Sequence, residues 1–215
     1  MMSNWLKIRI LYYLLFIFCL YVVVNIAFNY IILSESFISQ WYEGIITQMQ
    51  IQEAISFLKK WEWTMILINI IIVFIKILSV SGCIYIGILF FLNKEYTYKI
   101  SFNIALKAEI VFVFFVIIRL LWLRFVNIPE SLEEINICPL SLMQFFDIAK
   151  IEPWLLYPLN TFNVFEVLYV WMLSSLMAVA LQVKFRKAFE IVFVSYGAGL
   201  LLLIVTQMFL ILNNT

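Results

Sequence analysis

Most of the charge in this 215-residue chain is confined to the gaps between five long apolar runs, and that segregation decides what it can fold into. A helix needs about 20 mostly apolar residues to cross a hydrocarbon core of about 30 Å. The runs fall at 10–33, 63–92, 103–126, 159–183 and 191–212. Each is too long and too continuous for a strand, and in lipid only a helix satisfies its own backbone. Charged residues make up 13% of the chain, against about 25% in soluble domains, so its surface cannot be one that water covers. The expected fold is all-α: one polytopic membrane domain of five transmembrane helices, with amphipathic interfacial helices on the outer side.

The first run starts at Ile10 and outlasts the core of a signal peptide, about 7–15 residues, and no small-x-small site closes it. It is therefore expected to be a retained span. With the N-terminus cytoplasmic, the inner segments hold Lys7, Arg9, Lys94, Lys99, Lys184, Arg186 and Lys187. The outer segments hold Lys59, Lys60, Arg124 and Lys150, so the positive-inside rule favours this orientation 7 to 4. Five crossings then leave the C-terminus on the outer side.

The two outer connections, 34–62 and 127–158, are long and patterned. Ile38, Trp41, Ile45 and Met49 recur at helical spacing, as do Ile51, Ile55 and Leu58 after a phase slip near Gln50. That pattern predicts helices lying in the interface plane. The second connection holds all four prolines. There Ser141 and Gln144 resemble a capping box opening a helix over 142–150. Trp41, Tyr42, Trp61, Phe145, Phe146 and Trp154 stand out in these connections. They suit either a seal over the bundle or a surface for a partner.

Catalytic chemistry has little to work with. Histidine is absent, which removes the commonest general base and metal ligand together. Cys19, Cys83 and Cys138 are scattered and form no CxxC pair, so neither a disulfide framework nor a zinc site is expected. The Glu133-Glu134 pair and the Val194-Ser-Tyr-Gly-Ala-Gly199 stretch lack the histidine that such motifs need. Gly197 and Gly199 are better read as letting the last span pack closely on a neighbour. No catalytic residue, cofactor or metal is expected, and a net charge of +1 gives no case for nucleic acid.

Ionisable residues at membrane depth remain, each costing about 2.5 kcal/mol or more at the bilayer centre. Arg119 and Glu166 each lie seven residues from the outer end of their runs, a depth of about 10 Å, which predicts a bridge between spans three and four. Lys76 and Glu109 both fall about 20 Å from the outer face, so they too can pair. The four charges read either as structural bridges or as a relay through the bundle.

The segment Leu159-Asn-Thr-Phe-Asn-Val-Phe-Glu-Val-Leu-Tyr-Val170, the basic turn Lys187-Ala-Phe-Glu-Ile-Val192 and the short turn between Gly87 and Lys107 resemble parts of the Yip1-like membrane proteins. The resemblance covers roughly 76–212 and implies a five-span bundle. It carries over no functional residue, because the Tyr-Gly-Pro signature of the eukaryotic branch is missing. The Ile/Asn/Lys-rich composition fits a bacterium, and so the inner (cytoplasmic) membrane. The expected function is a non-catalytic integral subunit of a transport or export complex, with the lipid bilayer and other membrane subunits as its partners. The alternative is a small stand-alone transporter or channel using the buried charges.

Overall fold

The computed structural model describes residues 10–32, 34–42, 47–92, 96–126, 129, 135, 137–146 and 151–214, without the side chains of 35, 36, 40, 41 and 214. Their main helices are α1 (Ile10–Ile31), α2 (Glu35–Tyr42), α3 (Gln48–Leu92), α4 (Tyr98–Ala108), α5 (Ile110–Phe125), α6 (Pro153–Thr161), α7 (Val164–Leu181) and α8 (Phe185–Asn214). No strand forms among them, and a 3-10 turn covers Leu142–Phe145. Four helices, α1, α3, α7 and α8, are long and apolar enough to cross a membrane. The chain is thus all-helical, with the pattern of a multi-pass membrane protein.

The helix boundaries differ from the apolar runs at three places, each for a local reason. The first is α3, which begins at Gln48 and continues unbroken for 45 residues, about 67 Å. No separate interfacial helix covers Gln48–Glu62. What looked like a phase slip near Gln50 is a helix start: Thr47 N–H donates to Gln50 Oε1 at 3.0 Å, and Gln50 N–H donates back to Thr47 Oγ1 at 3.4 Å. That reciprocal cap opens the helix, and neither glycine nor proline interrupts it before Gly82.

The second is the expected third span, which consists of two shorter helices, α4 with 11 residues and α5 with 16, meeting at Glu109. The Glu109 carbonyl accepts from Phe112 N–H at 3.0 Å as well as from Val113 N–H at 3.3 Å, so the turn tightens there. The Tyr13 hydroxyl of α1 donates to the Lys107 carbonyl at 3.4 Å, next to the break.

The third lies at the entry to the fourth run. α7 starts at Val164 rather than Leu159, because Asn163 is extended and its side chain accepts from Glu166 N–H at 2.9 Å. The preceding residues form α6, and Ser141 pairs with Asn163 in an isolated bridge across the gap. Ser141 does not cap a helix over 142–150. Its hydroxyl donates to the Cys138 carbonyl at 2.8 Å, and Leu142–Phe145 makes only the 3-10 turn. Residues 147–150 lie outside the described residues, as does the Glu133-Glu134 pair. At its far end α7 closes in a left-handed Gln182 (φ 54°), with Val183 N–H reaching the Ala178 carbonyl at 3.1 Å. This is the Schellman closure, here without its usual glycine.

The core sits where α1, α3, α4, α7 and α8 converge, around Ile17, Ile77, Ile104, Tyr169, Met177 and Ile191. Large apolar side chains such as Ile72, Leu202 and Phe209 face outward instead. Lipid makes that cheap, and helices then associate through close packing rather than through a hydrophobic drive. The α3–α8 crossing shows it. A Cβ on Gly87 would meet Ser195 Cβ and Oγ at 2.7 Å, and one on Gly199 would meet Cys83 Sγ at 2.7 Å. Gly197 faces open space, so of the two glycines marked in the sequence only Gly199 serves this contact.

Candidate functional site

The break at Glu109 turns an acid into the bundle interior. Glu109 is fully buried, and its Oε1 accepts from Lys76 Nζ of α3 at 3.0 Å and from the Tyr21 hydroxyl of α1 at 2.8 Å. Lys76 keeps a third of its side chain exposed, but its ammonium lies 3.1 Å from the centre of the Phe112 ring and 5.3 Å from that of Tyr169. Ion pair and ring faces together hold a charge that lipid alone would not tolerate. The aromatic contacts then continue outward. Phe112 and Tyr169 meet edge to face at 4.7 Å, and Tyr169 and Tyr196 at 5.5 Å. The Tyr196 hydroxyl donates to Glu166 Oε1. Asn25 and Asn69 add a second polar link between α1 and α3, at 3.0 Å.

Arg119 and Glu166 do not form the expected bridge. Arg119 Nη2 donates to the Ile135 carbonyl at 2.5 Å, and its guanidinium lies 5.7 Å from the Phe28 ring. Glu166 sits in the first turn of α7, because Asn163 moves the start of that helix. Residue counting placed it correctly in sequence but assumed an unbroken helix from Leu159. Arg119 instead ties the Ile135 backbone to α5, with Cys138 nearby. There burial pushes the Cys138 thiol up from its ordinary range, and the nearby guanidinium partly offsets this.

Sequence reasoning passed over Tyr21, Tyr169, Tyr196 and Phe112. A signal was present, since tyrosine favours membrane interfaces, and a tyrosine deep inside an apolar run asks for a polar partner. Of the aromatic residues marked in the connections, Phe145 and Phe146 are exposed, Trp61 is partly exposed, and Tyr42 and Trp154 are half-buried. The Trp41 side chain lies outside the described ones. Near Trp61 a separate cavity of about 1090 Å³ opens between the end of α1, α2, the first part of α3 and the end of α5. Phe37, Ile55 and Leu58 line it together with Glu62 and Arg124.

No group of metal-ligating side chains occurs among the described residues. An apolar-faced helical bundle enclosing an ion pair defines a membrane protein with a polar centre. Compared with known proteins, the chain matches no family model, no curated protein and no solved structure.

Proposed function

We propose that the chain is a non-catalytic integral subunit of a bacterial inner-membrane transport or export complex, built on the Yip1-like plan. It crosses the membrane five times with a cytoplasmic N-terminus, α4 and α5 together making the third crossing. The observation that carries this reading is the first third of α3. Glu53, Lys59, Lys60 and Glu62 all fall there, so about 20 Å of this helix stands beyond the apolar layer. It still exposes Met49, Phe57, Leu58 and Trp61, at 75%, 58%, 43% and 42%. Apolar side chains outside lipid call for cover, and the adjoining cavity offers a seat for a partner's helix.

Purification at native expression level in mild detergent is expected to recover other membrane proteins in stoichiometric amount. Phe57→Asp with Trp61→Ala should reduce that recovery severalfold while leaving the amount of this chain in the membrane unchanged. A protein that purifies alone, from wild-type membranes, contradicts the reading and favours a stand-alone transporter.

A further inference from the structure

We propose that the cavity between α1, α2, α3 and α5 binds one anionic phospholipid, its headgroup at Arg124 and its acyl chains along the apolar wall. A membrane leaves no such space empty, so a lipid fills the seat until a partner's helix takes it. Lipid binding is independent of the subunit reading, because it needs only this chain.

The space of about 1090 Å³ has the volume of about 36 waters. Small-molecule sites run from about 300 to 1,000 Å³, so the occupant is large. Ile26, Ile32, Phe37, Ile55, Met65 and Leu123 stand in the wall, and water against them is unfavourable. The cavity also straddles the edge of the apolar layer. Ile26 lies about 8 Å down α1 from Ile31, whereas Ile55 lies about 10 Å up α3 from Glu62. Chains of the surrounding bilayer reach the lower part alone. A lipid drawn into the cavity covers both.

Charge selects the headgroup. The charged residues lining the cavity are Lys59, Glu62 and Arg124. Glu62 Oε1 accepts from Asn29 Nδ2 at 3.4 Å within the same wall, and Lys59 has an interaction of its own. Arg124 has no carboxylate partner among the described residues, and its guanidinium lies 6.0 Å from the Phe125 ring. It stands exposed in the last turn of α5, where its planar fork matches phosphate oxygens. Basic pockets between membrane helices bind anionic headgroups by the same chemistry. With a single acid among the described lining residues, already bonded to Asn29, the cavity does not suit a metal cation.

Native mass spectrometry of the purified chain tests the assignment, with phosphatidylglycerol and phosphatidylcholine of matched chains offered at equal concentration. One phosphatidylglycerol per chain should be retained, with a preference of about fivefold, the effect of one arginine near a membrane surface. Arg124→Gln should abolish the preference. Leu58→Trp, which fills the cavity, should lower retention of both lipids severalfold. Arg186→Gln, in the exposed first turn of α8, should leave retention and preference unchanged. No retained lipid, no preference, or a preference that survives Arg124→Gln overturns the proposal. So does retention untouched by Leu58→Trp, or an equal loss in Arg186→Gln, which marks general surface binding. Displacement of the lipid by glycerol phosphate shows a site for the anion alone and overturns it as well. Should Leu58→Trp fail to fold, Ile55→Trp replaces it with the same expectation.

Discussion

Glu109→Ala is expected to lower the unfolding free energy by about 3–5 kcal/mol, because it strands the Lys76 ammonium in the bundle. The fully enclosed carboxylate sits 3.0 Å from Lys76 Nζ and takes a second bond from Tyr21. Lys76→Met should cost a comparable amount, since it leaves the Glu109 charge buried without its cation. The Lys76→Met/Glu109→Leu double variant removes both charges at once and should recover most of the loss. Buried pairs are often replaceable by apolar groups of similar size, even where neither single change is tolerated. Unfolding in mixed detergent micelles measures all three. Additive losses contradict a coupled pair.

Gly87→Leu is expected to cost about 3 kcal/mol, the upper part of the range for overpacked cores. Any Cβ at this position lands 2.7 Å from Ser195 Cβ and 3.1 Å from Ile191 Cγ2. Neither is the free end of a flexible chain, so α3 and α8 must move apart. Ser195→Gly should relieve part of the clash in Gly87→Ala. Gly82 is on the same helix with nothing within 4 Å of its added Cβ, so Gly82→Ala should be neutral or slightly stabilising. Thermal unfolding of the four variants in detergent separates contact from helix propensity. If Gly82→Ala and Gly87→Ala behave alike, the crossing is not as close as described.

The parts of this architecture that depend on one helix at a time were readable in the chain. Apolar length marks α1, α3, α7 and α8, and counting residues along two helices brings Lys76 and Glu109 to one depth. Depth is only one coordinate, however. Arg119 and Glu166 share a depth by the same count, yet the rotation of α5 and the later start of α7 send them to different partners. Asn163 and the Thr47–Gln50 pair were visible as helix-start chemistry, but a continuous apolar run hid the first and an apparent change of phase hid the second. The tyrosines at the centre looked like ordinary apolar filling. Their hydroxyl partners lie 88 residues away for Tyr21 and 30 for Tyr196, beyond any local pattern.

In the five-crossing topology we propose, α4 and α5, each too short alone, cross the membrane as one unit interrupted at Glu109. Thr97 and Val126 lie at the two ends of that unit, and both are exposed. In a background with the three native cysteines replaced, Thr97→Cys and Val126→Cys can be labelled by a membrane-impermeant thiol reagent on intact cells. Val126→Cys is expected to be labelled from outside, and Thr97→Cys only after the membrane is opened. Labelling of both positions from the same side would contradict it.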